Sequence, residues 1–189
     1  MFSASASSPT RRGATLIGLL SGGLGVVAVG TAFAVDANPG EPVVAQTCNG
    51  LVATIVGTEG NDYLRGTAGR DIIVGLGGHD VIYGFEGNDV ICGGDGNDIL
   101  YGVAGRDVIF GGSGKDAIVG GKGNDLLDGG AGNDSIWGGN DDDRLSGRQG
   151  NNRLNGGAGD DRIVGGGGND QGHGGTGDDT FSGVEHPFD

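Results

Sequence analysis

The chain of 189 residues contains 47 Gly and only 4 Pro. Because Gly inside a helix costs about 1 kcal/mol relative to Ala, this composition excludes an ordinary helical domain. Collagen needs Gly at every third position with abundant Pro, and 35% hydrophobic residues is too high a fraction for a typical disordered chain. Of the common structural classes, a repetitive β architecture remains.

The charge balance is acidic, with 25 Asp and Glu against 11 Lys and Arg and a net charge of -14. Like charges repel, so nucleic acid is excluded as a natural partner and cations are favoured. Of the 25 acidic residues, 21 are Asp and 4 are Glu. A tight loop that requires a short acidic side chain explains this preference better than a solvated surface does.

The first 34 residues have the pattern of an export signal. Arg11 and Arg12 precede an apolar stretch, residues 14–33, and Ala32-Phe33-Ala34 resembles a cleavage site. We expect cleavage after Ala34, secretion and no stable membrane insertion afterwards. An uncleaved membrane anchor is the alternative, because the apolar stretch is long. The arginine pair resembles a twin-arginine signal, and the general secretory route is an equal alternative.

A nine-residue period covers residues 57–182 without insertion. The units read GTEGNDYLR, GTAGRDIIV, GLGGHDVIY, GFEGNDVIC, GGDGNDILY, GVAGRDVIF, GGSGKDAIV, GGKGNDLLD, GGAGNDSIW, GGNDDDRLS, GRQGNNRLN, GGAGDDRIV, GGGGNDQGH and GGTGDDTFS. Position 1 is Gly in all 14 units, position 4 is Gly in 13 and position 6 is Asp in 13. Position 8 is Leu, Ile or Phe in 13 units, and Gly172 is the exception.

The motif GGxGxD followed by x-large-apolar-x resembles the calcium-binding nonapeptide of the repeats-in-toxin, or hemolysin-type, family. The resemblance implies a parallel β-roll in which six residues of each unit form a calcium-binding turn and three form a short strand. The segment from Cys48 to Val56 also resembles the leader of small secreted actinobacterial members. An N-terminal signal without a long C-terminal secretion segment departs from the toxins of the family, so toxin activity is not carried over.

The physical chemistry of the repeat leads to the same fold class: all-β, a two-sheet β-solenoid. Side chains alternate across a strand, so position 8 faces the core while positions 7 and 9 face outward. Two units form one coil of 18 residues, and about seven coils stack into a rod of roughly 34 Å. About 13 core side chains cannot offset the entropy of ordering the repeats, so the turns need further stabilisation.

We expect the turns to supply this further stabilisation by binding cations. Gly at positions 1 and 4 and Asn at position 5 tolerate left-handed backbone angles that aim carbonyl oxygens inward. Carboxylates stacked at about 4.8 Å repel each other unless a dication lies between them. The oxygen ligands favour Ca²⁺ over Mg²⁺, and His79, His173 and His186 lack the spacing of a zinc site.

The predicted carboxylate ligands form two columns, one on each edge of the roll. One edge carries Asp62, Asp80, Asp98, Asp116, Asp134, Asn152 and Asp170, and the other carries Asp71, Asp89, Asp107, Asp125, Asp143, Asp161 and Asp179. Turn carbonyls are expected near Gly57, Gly60, Gly66, Gly69, Gly75, Gly78, Gly84, Gly87, Gly93, Gly96, Gly102, Gly105, Gly111, Gly114, Gly120, Gly123, Gly129 and Gly132. Six gaps on each edge limit the roll to about 12 ions. Asn152 is expected to weaken two gaps, Asp141 to distort a loop, and Gly172 to weaken the C-terminal coils.

The outer faces change character along the rod. Units two to seven expose the apolar residues Ile72, Val74, Val81, Tyr83, Val90, Cys92, Ile99, Tyr101, Val108, Phe110, Ala117 and Val119. Such a patch indicates a partner, a cover or self-association, and strand propensity is the alternative explanation. Tyr83 and Tyr101, with Trp137, could form a sugar-binding platform. Later units carry Arg144, Arg153 and Arg162, which we expect to balance neighbouring Asp charge.

The two cysteines, Cys48 and Cys92, are expected to form a disulfide in an oxidising compartment, and two isolated thiols are the alternative. The bond would hold residues 35–56 as a cap over the first coils, covering Ile72 and Val74. The predicted organisation is a signal at 1–34, a cap at 35–56, the roll at 57–182 and a tail at 183–189.

The sequence predicts a calcium-dependent β-roll and no enzyme. It contains no HExxH, GxSxG or paired Cys/His pattern, and few residues lie outside the repeats. A calcium-dependent adhesion module that binds a cell-surface, glycan or self-association partner through the apolar face is the alternative function.

Overall fold

A computed structural model describes residues 46–188, and the predicted signal and most of the predicted cap lie outside these residues. Within this range the chain forms 18 strands. They are β1 (Thr47–Cys48), β2 (Leu51–Val52), β3 (Ile55–Val56), β4 (Tyr63–Arg65), β5 (Ile72–Gly77), β6 (Val81–Glu86), β7 (Val90–Asp95), β8 (Ile99–Ala104), β9 (Val108–Ser113), β10 (Ala117–Lys122), β11 (Leu126–Ala131), β12 (Ser135–Asn140), β13 (Arg144–Gln149), β14 (Arg153–Ala158), β15 (Arg162–Gly167), β16 (Gln171–Thr176), β17 (Thr180–Ser182) and β18 (His186–Phe188). No helix long and apolar enough to span a membrane occurs in residues 46–188.

Two parallel sheets of eight strands carry the fold. The first, here called the odd-unit sheet, has the order β18-β16-β14-β12-β10-β8-β6-β4, and the even-unit sheet has the order β17-β15-β13-β11-β9-β7-β5-β3. Paired residues within the repeats are 18 positions apart, as in Ile118 with Ile136 on β10 and β12. The predicted solenoid of about seven 18-residue coils is therefore confirmed.

Position 8 forms the core, as the alternation predicted. Ile73, Ile82, Ile91 and Ile109 are fully buried, and the cluster runs from Leu64 to Ile163. The strands β5 to β16 are six residues long rather than three, because each continues through the first three positions of the next unit. The backbone hydrogen bonds of these extra positions extend each sheet beyond the core.

The turn glycines have two different physical roles. In unit seven, positions 2 and 4 adopt left-handed angles, with φ of 115° at Gly112 and 130° at Gly114. Position 1 takes no positive φ in the described repeats, and the explanation of its Gly by backbone angle was wrong. A Cβ at Gly120 would lie 2.8 Å from the carbonyl oxygen of Gly138, so position 1 requires Gly for space.

The N-terminal segment packs on the outside of the even-unit sheet. Strands β1 and β2 form a short antiparallel hairpin, and a disulfide joins Cys48 to Cys92 with Cα atoms 5.8 Å apart. Cys48, Val74 and Val90 form a second buried cluster, against which Ile72 packs. This hairpin thereby covers part of the apolar outer face of the first coils.

The C-terminal segment is not a free tail, because β18 pairs in parallel with β16. A Cβ at Gly172 would lie 3.0 Å from Cγ1 of Val184 and 3.2 Å from the ring of Phe181. These two side chains pack against the core cluster where the position-8 side chain is missing. The end of the chain therefore compensates for Gly172.

Candidate metal centre

The position-6 carboxylates are buried along most of the roll. Their exposed fraction is 6% or less at Asp71, Asp80, Asp89, Asp98, Asp107, Asp116, Asp125, Asp134, Asp143, Asp161 and Asp170. Asp62 and Asp179, at the two ends, are half-buried. Because Asp is almost never fully buried unless it is paired, this pattern requires a partner for each carboxylate.

From Asp80 onwards, one oxygen of each position-6 carboxylate accepts a hydrogen bond from the preceding coil. The Oδ1 atom of Asp98 accepts the backbone N–H of Asp80 at 2.9 Å, and the Oδ1 of Asp107 accepts that of Asp89 at 2.8 Å. The same bond recurs every 18 residues along both edges at 2.8–3.0 Å, the usual length of an N–H···O hydrogen bond. The side chains therefore stand in register as two columns.

The second oxygen, Oδ2, is buried without a hydrogen-bond donor among the described residues at ten positions. These are Asp80, Asp89, Asp98, Asp107, Asp116, Asp125, Asp134, Asp143, Asp161 and Asp170. An uncompensated buried polar atom is costly, and an unpaired carboxylate is more costly still. Each Oδ2 therefore marks a place where positive charge stabilises the fold.

Burial raises the pKa of these carboxyl groups. The pKa reaches about 6 at Asp80 and Asp89, about 7 at Asp116 and Asp143, and about 8 at Asp125. Loss of water is the largest cause, the backbone N–H bond opposes it, and neighbouring carboxylates raise the pKa of these five further. Burial also raises the pKa of Asp98, Asp107, Asp134 and Asp161.

A backbone carbonyl oxygen lies near most of these unpaired carboxylate oxygens. Beside the point where Gly120 would carry a Cβ lie the Oδ2 of Asp125 and the carbonyl oxygen of Gly138 in the next coil. Among residues 46–188 no three His, Cys, Asp or Glu side chains converge on a metal position. The oxygen donors here are thus carboxylates and carbonyls, a set that suits Ca²⁺ and not Zn²⁺.

The first two turns differ from the others. The backbone N–H of Thr58 and its hydroxyl donate to Oδ2 of Asp62 at 2.6 and 2.9 Å, and Thr67 bonds to Asp71 in the same way. Gly60 in the first of these turns does not take the positive φ seen at position 4 from unit three onwards. Threonine thus supplies the donors that the other carboxylates lack, a substitution that the sequence analysis missed.

Asn152 occupies its expected place in the column, but its side chain has a hydrogen-bond donor where the aspartates have a second acceptor oxygen. Its Oδ1 accepts the N–H of Asp134 at 2.8 Å, whereas its Nδ2 donates to Oδ1 of Asp170 at 2.9 Å. An amide donor cannot act as a ligand, but it removes one carboxylate from the stack. Asp141 retains the left-handed turn at φ 73°, so the expected distortion of that loop is not observed.

Position 5 forms a second, exposed ladder. The Oδ1 of Asn97 accepts the N–H of Lys115 at 2.7 Å, and His79 accepts that of Asn97 through Nδ1 at 2.8 Å. In the described repeats no position-5 residue adopts a positive φ, so the explanation of Asn there by left-handed angles was wrong. The Asn, Asp and His side chains that accept these bonds instead connect their turns to the next coil.

The outer face of the odd-unit sheet carries an aromatic stack. The rings of Tyr83 and Tyr101 lie 4.7 Å apart with 12° between their planes, and the Arg65 guanidinium lies 4.7 Å from the centre of the Phe85 ring. Trp137 is 44% exposed two coils on from Tyr101. Because the two tyrosine rings cover each other's faces, this pair offers edges and hydroxyls rather than a flat sugar platform.

The arginines predicted to balance Asp charge are exposed, and within the described part of the chain they form no ion pair. They are Arg144, Arg153 and Arg162. The ion pair that is present joins Arg148 to Asp128, at 2.5 Å. The sequence pattern did not single out either residue.

The fold and the two carboxylate columns define a parallel β-roll with acidic turns. A family model that describes four copies of the RTX calcium-binding nonapeptide repeat matches the chain in five overlapping segments, residues 54–82, 65–100, 93–127, 119–154 and 146–181. The chain belongs to this family, and the family predicted from the repeat motif is confirmed. The nonapeptide units of this chain are therefore calcium-binding repeats, and they form a β-roll. A search among curated proteins gave no match to the chain.

Proposed function

We propose that the chain is a secreted structural module whose turns hold Ca²⁺ between successive coils and whose folding depends on those ions. The observation that carries this proposal is the set of ten buried Oδ2 atoms without a donor in the described residues. The position-6 aspartates from Asp80 onwards would bind the ions together with turn carbonyls, and Asn152 would contribute no carboxylate. When bound, Ca²⁺ neutralises the columns and replaces the missing hydrogen bonds.

The number of ions follows from the same observation. Twelve gaps separate the turns of successive coils, but Asp62 and Asp71 already receive two donors each from threonine. Ions therefore bind from unit three onwards, and the total lies below 12. The proposal assigns this chain no catalytic role, because the buried carboxylates stand in a structural ladder rather than in a cleft.

Secretion is part of the proposal and rests on the residues before Ala34. Extracellular calcium-binding modules have Kd values of roughly 10⁻⁴ to 10⁻³ M, which suit the calcium concentrations outside cells and not those inside. A chain with this signal would thus remain unfolded before export and fold afterwards. Peptide mapping of the secreted protein, with Val35 as the expected first residue, tests the processing.

Circular dichroism tests the dependence on calcium. At pH 7 we expect β-sheet in excess chelator to be confined to the first coils, β-sheet throughout the roll at millimolar Ca²⁺, and no equivalent folding at the same concentration of Mg²⁺. Equal β content in chelator and in calcium would mean that the ladder is not the main stabiliser.

A calcium-dependent binding module is the second candidate function. Tyr63, Ile99, Val103, Leu126 and Trp137 are all at least 40% exposed, and four of the five lie on the odd-unit sheet. Exposed apolar area of this extent is typical of an interaction surface. Glycan arrays, pull-down experiments and sedimentation of the protein alone, each with and without calcium, distinguish a sugar, a protein partner and self-association.

A further inference from the structure

The column on the odd-unit edge ends differently from the rest of the ladder. Along this column, each backbone N–H from Asp62 to Asn152 donates to the side-chain oxygen of the residue 18 positions later. For Asp170 that position would be 188, which is Phe. The N–H of Asp170 instead donates to Oε2 of Glu185 at 2.5 Å. Glu185 therefore takes the acceptor role of the missing aspartate.

Two further contacts hold Glu185 in this place. Its own N–H donates to the carbonyl oxygen of Asp170 at 3.1 Å, so the two residues are bonded reciprocally. The preceding residue, Val184, packs on the core cluster beside Gly172. The segment is thus positioned by the core as well as by the carboxylate.

Asp170 supplies an independent observation. It is fully buried, and its Oδ2 has no hydrogen-bond donor in the described residues. That oxygen lies 2.7 Å from the point where Gly165 would carry a Cβ, and the carbonyl oxygen of Gly183 lies closer still. The same pair of atoms, a carboxylate oxygen and a carbonyl oxygen, lies beside Gly120 inside the roll, where they belong to Asp125 and Gly138.

The sequence register explains why glutamate can do this here. Gly183 continues the nine-residue period as a fifteenth position 1, which places Glu185 at position 3. Glu86 occupies position 3 of unit four and is exposed, as Glu185 is, but it makes no hydrogen bond to the column within residues 46–188, whereas Glu185 accepts the N–H of Asp170. Inside the roll, the N–H of each position-6 residue donates to the position-6 side chain of the next coil. Beyond Asp170 no such side chain follows, and the longer side chain of Glu185 reaches the N–H instead.

We propose that Asp170, Glu185 and the Gly183 carbonyl form a terminal Ca²⁺ site beyond the last repeat. The inference rests on the proposed function and adds one ion to those held between the repeats. A carboxylate pair with a carbonyl oxygen is the ligand set of a hard dication. The ion would also fasten the C-terminal segment to the last coil, as the disulfide fastens the N-terminal segment to the first ones.

Native mass spectrometry of the full secreted chain, which resolves single Ca²⁺ adducts, tests the proposal. Glu185→Gln keeps an acceptor oxygen and removes the charge, and Glu86→Gln makes the same change at position 3 of an inner unit. We expect the maximum number of bound ions to fall by one in E185Q and to be unchanged in E86Q. An E185Q protein that binds as many ions as the wild type overturns the terminal site.

The outcomes separate this inference from the proposed function. A wild type that binds no calcium contradicts both, whereas one that binds several ions and loses none in E185Q contradicts the terminal site alone. Hydrogen exchange at saturating calcium is a second test. Residues 183–185 should be less protected in E185Q than in the wild type, and equal protection in the two proteins overturns the proposal.

Discussion

The Oδ1 atom of Asp116 accepts the backbone N–H of Asp98 at 2.9 Å, one coil earlier in the roll. The bond joins two residues 18 positions apart and leaves Oδ2 of Asp116 buried without a donor among the described residues. One side chain therefore aligns the coils and also presents charge for a cation.

The calcium-free roll should lose stability as pH rises. The folded-state pKa values of about 6 at Asp89, 7 at Asp116 and 8 at Asp125 lie above the unfolded value of about 3.9. The folded state thus binds more protons, and its stability is greatest below about pH 4 and is lost through about pH 6 to 8. Circular dichroism in chelator measures this as β-sheet that is retained near pH 4 and lost toward pH 8, and β-sheet that increases over the same interval contradicts it.

Calcium should reverse that dependence, because Ca²⁺ and protons compete for the same carboxylates. We expect the apparent calcium affinity to increase from about pH 5 to about pH 8, with protons released on binding. Calcium titrations followed by circular dichroism in buffers of different ionisation enthalpy measure both effects. An affinity that does not depend on pH contradicts the prediction.

Asn152→Asp should have opposite effects with and without calcium. It replaces the amide that donates to Asp170 with a carboxylate between Asp134 and Asp170. In chelator the added repulsion should cost roughly 1–3 kcal/mol, whereas in calcium the restored ligand should lower the midpoint concentration for folding. Asn151→Asp, which adds the same charge at an exposed position, is the control. Equal shifts in both variants would mean that position 152 has no special role.

The first coil should be the part least dependent on calcium. Hydrogen exchange in chelator should show protection persisting in residues 46–92 after residues 140–182 have lost it. Thr67→Val removes the hydroxyl donor of Asp71 and should reduce stability in chelator by about 1 kcal/mol. Thr176→Val, at an exposed site without a hydroxyl hydrogen bond in the described chain, should have no comparable effect. The reverse order of protection contradicts the prediction.

The disulfide should stabilise the roll independently of calcium. Cys48 and Cys92 are separated by 44 positions, and closing a loop of that length contributes about 4 kcal/mol through the unfolded chain. We expect C48S/C92S to require more calcium for folding than the wild type. Non-reducing peptide mapping of the secreted protein is the direct test, and two free thiols after export would remove this account.

Val103→Gly should stabilise the protein. Val103 occupies position 2 with φ of 85° and is 41% exposed, so it combines backbone strain with little burial. Relief of the strain should outweigh the added freedom of the unfolded chain, for a net gain of about 1 kcal/mol. Gly121→Ala is the opposite test, because its Cβ would collide with the carbonyl oxygen of Val103. Thermal unfolding at saturating calcium measures both changes.

The sequence alone predicted the coil, the core and the carboxylate columns. A period of nine without insertion permits one register, in which Ile118 lies beside Ile136 and Asp98 beside Asp116. The alternation of a strand then decides which side chains are buried. The repeat therefore contained enough information for the family and the fold.

The tertiary structure decided what each turn residue does. Gly120 must be Gly because of a carbonyl oxygen in the next coil, and Thr67 reaches Asp71 through a local turn that the other units do not adopt. Glu185 accepts the N–H of Asp170 because Val184 packs on the core and brings the chain back to it. These roles depend on atoms that meet only when the coils stack, and no local sequence pattern contains that proximity.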